Sequence, residues 1–460
     1  MGARGATGAV GAMGAVGAMG AVGAMGAVGA MGAVGAMGAR RWHRALALSL
    51  ALAAPAYAQQ APSGDGATPL HWAAYRDDLA GVDRLLRSGA NVNAANDIGA
   101  TSLWAASFNG STAIVARLLE AGANPNLSLL SGETPLMAAA RAGKPLVAEL
   151  LLAKGANPNA RGPRGQTALM WSVAQKHTDV VRLLVARGAD VHARTETWSQ
   201  MMAVPPHGLP EYNRMIPHGA DTALMFAARA GDLASATILV DGGANVNDHD
   251  AWGVSATALA AFSGFGDVAR YLLEKGADPN QDGAGFTALH CAIMRRDEKT
   301  VEALLARGAN PNAPVRVWTP TRRSSDDYHF MPALVDATPY WLAARFTQPN
   351  VMRLLGKHGA DTKVIHESNY VQGEGYQRRK ERTTAIMAAL GMGGGTAWVP
   401  IDRAERDALI LEAVTVAVEL GADVNVASTD GRTALDSARA QKYDAVASFL
   451  QARGAVPSAR

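Results

Sequence analysis

The chain has 460 residues, with 43 basic and 40 acidic side chains mixed along its length and a net charge of +3. That balance leaves no basic stripe and excludes the electrostatic footprint of a nucleic-acid binder. A single cysteine, Cys291, excludes an intramolecular disulfide framework, so packing must hold the fold together; within TALHCAIM it reads as a small buried apolar residue and not as a nucleophile.

In chain order, residues 1–36 form a low-complexity tract in which glycine recurs at every third position from Gly2, continuing to Gly38. Collagen shares that spacing but needs imino acids, and this run has no proline, so it is expected to be unfolded in isolation. Residues 37–58 read as a secretory signal peptide: a basic cluster (Arg40, Arg41, Arg44), a short apolar run from Ala45 to Ala54, and Ala56-Tyr57-Ala58 for cleavage after Ala58. The apolar run is too short to span a bilayer, which makes a permanent membrane anchor the poorer reading. Signal peptides begin close to their basic region, so Met37 is the expected start and the tract before it a start-site artefact or a dispensable extension. The mature chain is expected to be periplasmic or secreted, with residues 59–63 as a linker.

From residue 64 the chain repeats itself. Thr68, Thr101, Thr134 and Thr167 are 33 residues apart, and each opens a segment such as TPLHWAAY or TALMWSVA. A fixed period of this size means a solenoid. Threonine suits a helix N-cap and proline the first helical position, so each TPL or TAL starts a short helix. A second apolar run such as VARLL (Val115–Leu119) makes the next helix, and Gly89, Gly122, Gly155 and Gly188 end it. A pair this small cannot bury its own apolar face and needs stacked neighbours.

These motifs resemble the ankyrin repeat, whose pattern is a β-turn followed by an antiparallel helix pair with Thr-Pro-Leu-His, Leu-Leu and Gly-Ala. Further openings at Thr222, Ser255, Thr287, Thr338, Thr384 and Thr433, with closing glycines from Gly243 to Gly454, bring the count to ten. The expected fold is therefore an all-α ankyrin solenoid of about ten helix-turn-helix repeats with inserted finger loops. Repeats one to four cover 64–194, five to seven 218–312, repeat eight 338–363, repeat nine 384–427, and repeat ten with a polar C-terminal cap 428–460. The resemblance implies that His71 and His290, which alone keep the histidine of the motif, are structural hydrogen-bonding residues.

The period breaks at 195–217, 313–337 and 364–383, and again at 391–406 inside repeat nine. The first three breaks enter at the same turn and are expected to project from one edge of the stack. They carry Trp198, Tyr212, Trp318, Arg322, Arg323, Tyr328, Phe330, Tyr370, Arg378 and Arg379, residue types enriched at interface hot spots. Those aromatics either meet a partner or fold back onto the solenoid. The resemblance implies a second surface, the concave groove, reached by the residue seven places after each threonine: Tyr75, Phe108, Arg141, Arg229, Phe262, Met294 and Arg345.

Catalytic signatures fail on spacing. HESNY (His366–Tyr370) lacks the second histidine of a zinc protease, GMGGGTAW (Gly391–Trp398) lacks the Lys-Ser/Thr of a phosphate loop, and GVSAT (Gly253–Thr257) lacks the second glycine of a nucleophile elbow. His207, His218, His329 and His366 are scattered and read as solvated rather than as metal ligands. The expected function is non-enzymatic: a monomeric scaffold, without cofactor or metal, that binds a protein through its groove and inserts. The alternative is an enzyme or accessory subunit with a small-molecule or metal site formed by the inserts at 313–406.

Overall fold

The computed structural model describes residues 64–203, 213–319, 330–372, 377–394 and 402–458. The Gly-Ala tract, the signal peptide, the linker and Tyr212, Arg322, Arg323 and Tyr328 lie outside the described residues.

Each threonine opens a helix for the reason its chemistry suggests. The Thr101 hydroxyl accepts from Trp104 N at 3.1 Å and the Thr134 hydroxyl from Met137 N at 3.3 Å, each satisfying an end donor that the helix leaves unpaired. The four regular repeats give α1 (Pro69–Tyr75) and α2 (Leu79–Arg87), α3 (Ser102–Asn109) and α4 (Thr112–Glu120), α5 (Pro135–Arg141) and α6 (Pro145–Ala153), and α7 (Ala168–Ala174) and α8 (Thr178–Ala186). After the first insert follow α9 (Ala223–Ala230) and α10 (Leu233–Asp241), α11 (Ala256–Phe262) and α12 (Gly266–Glu274), and α13 (Ala288–Met294) and α14 (Glu298–Ala306). Three more repeats complete the stack: α15 (Pro339–Arg345) and α16 (Pro349–Lys357), α17 (Ala385–Ala389) and α18 (Arg403–Glu419), and α19 (Ala434–Ala440) and α20 (Asp444–Ala452). Ser255 opens its repeat as well as a threonine would, accepting from Ala258 N at 3.1 Å.

Helices of seven to nine residues are marginal alone, so the stack stabilises them. First helices pack on first helices, second on second. Leu70, Leu103, Leu136 and Leu169 each reach 1% exposure in the first layer, and Leu118, Leu151 and Leu184 reach 0% in the second. Each contributes about 1.5–3 kcal/mol by burial. Gly122 shows why glycine ends the pair: at φ 87° it lets Ala123 N turn back to the Leu118 carbonyl at 2.9 Å.

The turns carry an asparagine ladder. Asn126 Nδ2 donates to the Gly155 carbonyl at 2.9 Å, and its Oδ1 accepts from Asn157 N at 2.8 Å, so one side chain joins two repeats. Asn93, Asn159, Asn280, Asn312 and Asn425 donate to the next repeat's glycine carbonyl in the same way. At the first insert Arg194 takes over this task, donating to the Ala220 and His249 carbonyls and to Asp248.

Two inserts form antiparallel ribbons, a feature absent from the sequence reading. β1 (Trp198–Ala203) pairs with β2 (Asn213–His218), and β3 (Ile365–Gln372) with β4 (Gln377–Thr384). The insert between them folds back, with Thr319 N donating to the Phe330 carbonyl at 2.9 Å and Val315 N to that of Ala337 at 3.0 Å. The three share an edge: the Arg214 guanidinium lies 4.6 Å from the Trp318 ring centre, and Trp318 packs with Val371 of β3. In repeat nine, Arg403–Arg406 are helical, the first turn of the 17-residue α18 and not part of a loop.

Candidate interaction face

The first-helix layer exposes a row of rings and guanidinium groups at the C-terminal ends of α1, α3 and α5, continued by Trp171 in the middle of α7. Tyr75 meets Trp72 edge-on at 6.2 Å, and Phe108 stacks on Trp104 at 5.9 Å. Arg141 then sits between two repeats, its guanidinium 5.4 Å from the Phe108 ring centre and 5.6 Å from that of Trp171. Tyr75 is 38% and Phe108 41% exposed, the highest fractional exposures of any Phe, Tyr or Trp among the described residues. The row continues as Arg229 beside Phe226 and Arg295 beside the half-buried Phe262.

Two acids hold the arginines in place. Glu133, immediately before the cap Thr134, accepts from Arg141 at 2.7 Å; Asp221, immediately before Thr222, accepts from Arg229 at 2.9 Å. Burial pushes the Glu133 carboxyl above the usual range, against the pull of Arg141. The pairing fixes each guanidinium across a ring face and lowers the ordering entropy that a partner must overcome.

Other expected groove residues are covered. Met294, at 2% exposure, belongs to the hydrophobic core, where a flexible thioether gains from packing, and the outward place at the end of α13 goes to Arg295. Arg345, at 6%, donates from Nη2 to the Gly394 carbonyl at 3.2 Å beneath the turn that follows α17. Neither belongs to an open face.

The insert aromatics are corrected likewise. Trp318 (6%), Phe330 (0%) and Tyr370 (4%) are buried. Phe330 contacts Phe286 at 5.1 Å and His290 at 6.2 Å, so it is a core residue of repeat seven supplied from the insert. Trp198 is half-buried between His218 and the Arg164 guanidinium, 4.1 Å from its ring centre. Arg378 and Arg379 are exposed on β4.

The histidines are used structurally. His71 Nδ1 accepts from Thr68 N at 3.0 Å while Nε2 reaches the Ala100 carbonyl at 2.8 Å; His290 repeats this with Thr287 and Ala313. Burial lowers the pKa of His290 to about 4. Cys291 is fully buried, and burial pushes its thiol up, away from thiolate chemistry. Among the described residues no three His, Cys, Asp or Glu side chains are placed to hold a metal ion, and no helix is long and apolar enough to cross a membrane. His207 and His329 lie outside the described residues.

The family model described as ankyrin repeats (3 copies) matches residues 43–128, 103–195 and 224–315, more than half of the chain. The chain belongs to the ankyrin-repeat family. Ankyrin repeats are protein-interaction scaffolds, and the fold is typically non-enzymatic. Ankyrin repeat protein L92 of Acanthamoeba polyphaga mimivirus is 43% identical over 72 residues, 15% of this chain and 17% of that protein. The mitochondrial disaggregase of Bos taurus is 32% identical over 132 residues, 21% of this chain and 20% of that protein. The chain spans less than half the length of these curated relatives. Among solved structures, the human ASB11 ankyrin repeat domain is 25% identical, covers 53% of this chain and all of its own, and has a TM-score of 0.43.

Sequence reasoning missed Trp72, Trp104 and Trp171, which extend this ankyrin face one turn inward from the expected positions. A tryptophan three or four places after the cap threonine, in three of the first four repeats, was the available signal.

Proposed function

We propose that the protein is an exported, monomeric scaffold that recognises another protein through the groove formed by its first-helix layer, chiefly over repeats one to four. The observation that carries this reading is the open row of Tyr75, Phe108 and the Arg141 guanidinium held between Phe108 and Trp171. Aromatic rings and arginine offer a partner large contact area and directional donors at little ordering cost. Export rests on the signal peptide at residues 37–58, with cleavage after Ala58, and puts the partner in the periplasm or outside the cell. The inserts contribute Arg378 and Arg379 at the rim, while their aromatics belong to the scaffold.

The test is an affinity capture from envelope extract with the mature chain (Gln59–Arg460), beside Phe108→Ala/Arg141→Ala and beside Arg378→Ala/Arg379→Ala. A partner lost by the folded groove variant and held by the rim variant is the expected outcome. A partner held by the groove variant contradicts the reading. N-terminal sequencing of the exported protein tests the processing, with Gln59 as the expected first residue.

A further inference from the structure

The face of the β3–β4 ribbon that turns toward the stack is built against the usual rule. Register places His366 opposite Thr383 and Ser368 opposite Glu381, and alternation puts Tyr370 on the same face. His366, Ser368, Tyr370 and Thr383 are at most 4% exposed, whereas Glu367 and Asn369 between them are exposed. An inward sheet face is ordinarily apolar, because a buried polar atom loses its hydration unless something replaces it. These inward positions are all polar. His366 Nδ1, Ser368 Oγ and Thr383 Oγ1 have no hydrogen-bond partner. Trp341 Nε1 of α15 has none either, and its ring centre is 4.2 Å from that of His366.

The unpartnered ribbon atoms belong to one face, which His366 brings against Trp341. The glycine turn after α17 closes over it: a Cβ on Gly393, at φ 100°, would lie 2.8 Å from the Trp341 ring and 3.2 Å from Thr383 Oγ1. Arg345 and Glu381 flank the site with opposite charges that offset each other. His366 Nε2 lies 3.0 Å from the Ala333 carbonyl, which only accepts, so Nε2 carries the proton and Nδ1 of the neutral ring is an acceptor. The lining therefore offers one pure donor (Trp341), two acceptors (His366 and Glu381) and three hydroxyls that do either (Ser368, Tyr370 and Thr383). An anion would face the lone pairs of His366 and Glu381, and a cation would face Arg345. Groups spaced about 5 Å across the strands and about 7 Å along them suit hydroxyls distributed around a small ring.

We propose that the inward face of this ribbon, with Trp341, is a binding site for a small neutral polyhydroxylated molecule, a sugar or polyol. The ribbon is the lid. A two-stranded hairpin is marginal alone and depends on what it packs against, and a polar inner face gives weak dry packing, so the hairpin lifts to admit a ligand that then satisfies it. The site is independent of the groove.

The test follows thermal unfolding of the mature chain with glucose, galactose, N-acetylglucosamine, trehalose or glycerol, and with gluconate or inorganic phosphate as anionic counterparts. At least one neutral compound near saturation should raise the melting temperature by about 2–5 °C. Ser368→Ala/Thr383→Val should abolish that rise while leaving the unliganded melting temperature unchanged or higher, because both changes remove unpartnered hydroxyls. Phe108→Ala should keep the rise, which separates this site from the groove. No rise with any neutral compound, a rise with gluconate or phosphate alone, or an equal rise in the double variant overturns the proposal. A double variant that melts well below the parent without ligand also overturns it, since its hydroxyls would then be structural.

Discussion

Repeats one to four and the region from residue 313 to 406 use the same helix pair to opposite ends. In the first, 33-residue spacing is unbroken, the asparagine ladder runs from turn to turn, and rings and guanidinium groups at the first-helix ends stay open. In the second, inserted chain covers the equivalent position: Arg345 lies under a glycine turn, and the insert aromatics Trp318, Phe330 and Tyr370 are buried. The difference teaches that an insertion into a solenoid acts first as added core and second as added surface. The two proposed functions divide accordingly, protein recognition at the open face of the N-terminal repeats and ligand binding at the enclosed polar face of the β3–β4 ribbon.

The largest expected effect tests whether insert aromatics are scaffold. Phe330→Ala should cost about 3–5 kcal/mol in urea unfolding, as for any fully buried phenylalanine. A change within about 0.5 kcal/mol would return Phe330 to the surface and erase the contrast.

Acid should weaken the protein through its buried histidines. Burial holds the folded-state pKa of His290 at about 4, and it lowers those of His71 and His366 as well. Unfolded histidine titrates near about 6.5, so below that value the unfolded chain takes up a proton that the native ring refuses. His290 alone should remove about 3 kcal/mol of stability as pH falls from about 6.5 to about 4, with full stability regained above that window. Urea unfolding at several pH values checks this, and His290→Asn should flatten the dependence.

How much was legible in the sequence follows from these particulars. The cap threonines, closing glycines and layered leucines are local chemistry repeated in register, so the fold and the number of repeats could be read directly. Ser255 was readable for the same reason, since serine caps as threonine does. The seven-residue rule names Tyr75, Phe108, Arg141 and Arg229, which the structure leaves at least partly exposed, but it describes an uncovered repeat. It failed at Met294 and Arg345, where burial depends on the whole fold. The β3–β4 ribbon was hidden because QRRKERTT carries no apolar alternation; its inward polar face is the opposite of what marks a strand.

A smaller effect sharpens the account of the regular half. Asn126→Ala removes one donor and one acceptor that join neighbouring repeats and should cost about 1 kcal/mol. No loss would mean that water replaces the ladder at no cost. Smallest of all, Phe108→Ala should change stability by no more than about 0.5 kcal/mol, because that ring lies largely outside the core. A loss above about 2 kcal/mol would make it a packing residue and weaken its assignment to the interaction face.

The central claim is that recognition belongs to the open face of the first four repeats and not to the inserts. The most direct measurement is the affinity of the captured partner for the mature chain, for Phe108→Ala/Arg141→Ala and for Arg378→Ala/Arg379→Ala, with the fold of each confirmed by circular dichroism. The account predicts that the groove pair loses about 2 kcal/mol or more of binding energy, a factor of about 30, and that the rim pair loses less than a third of that free energy. Equal affinity for parent and groove variant, with the loss falling on the rim variant, would contradict it.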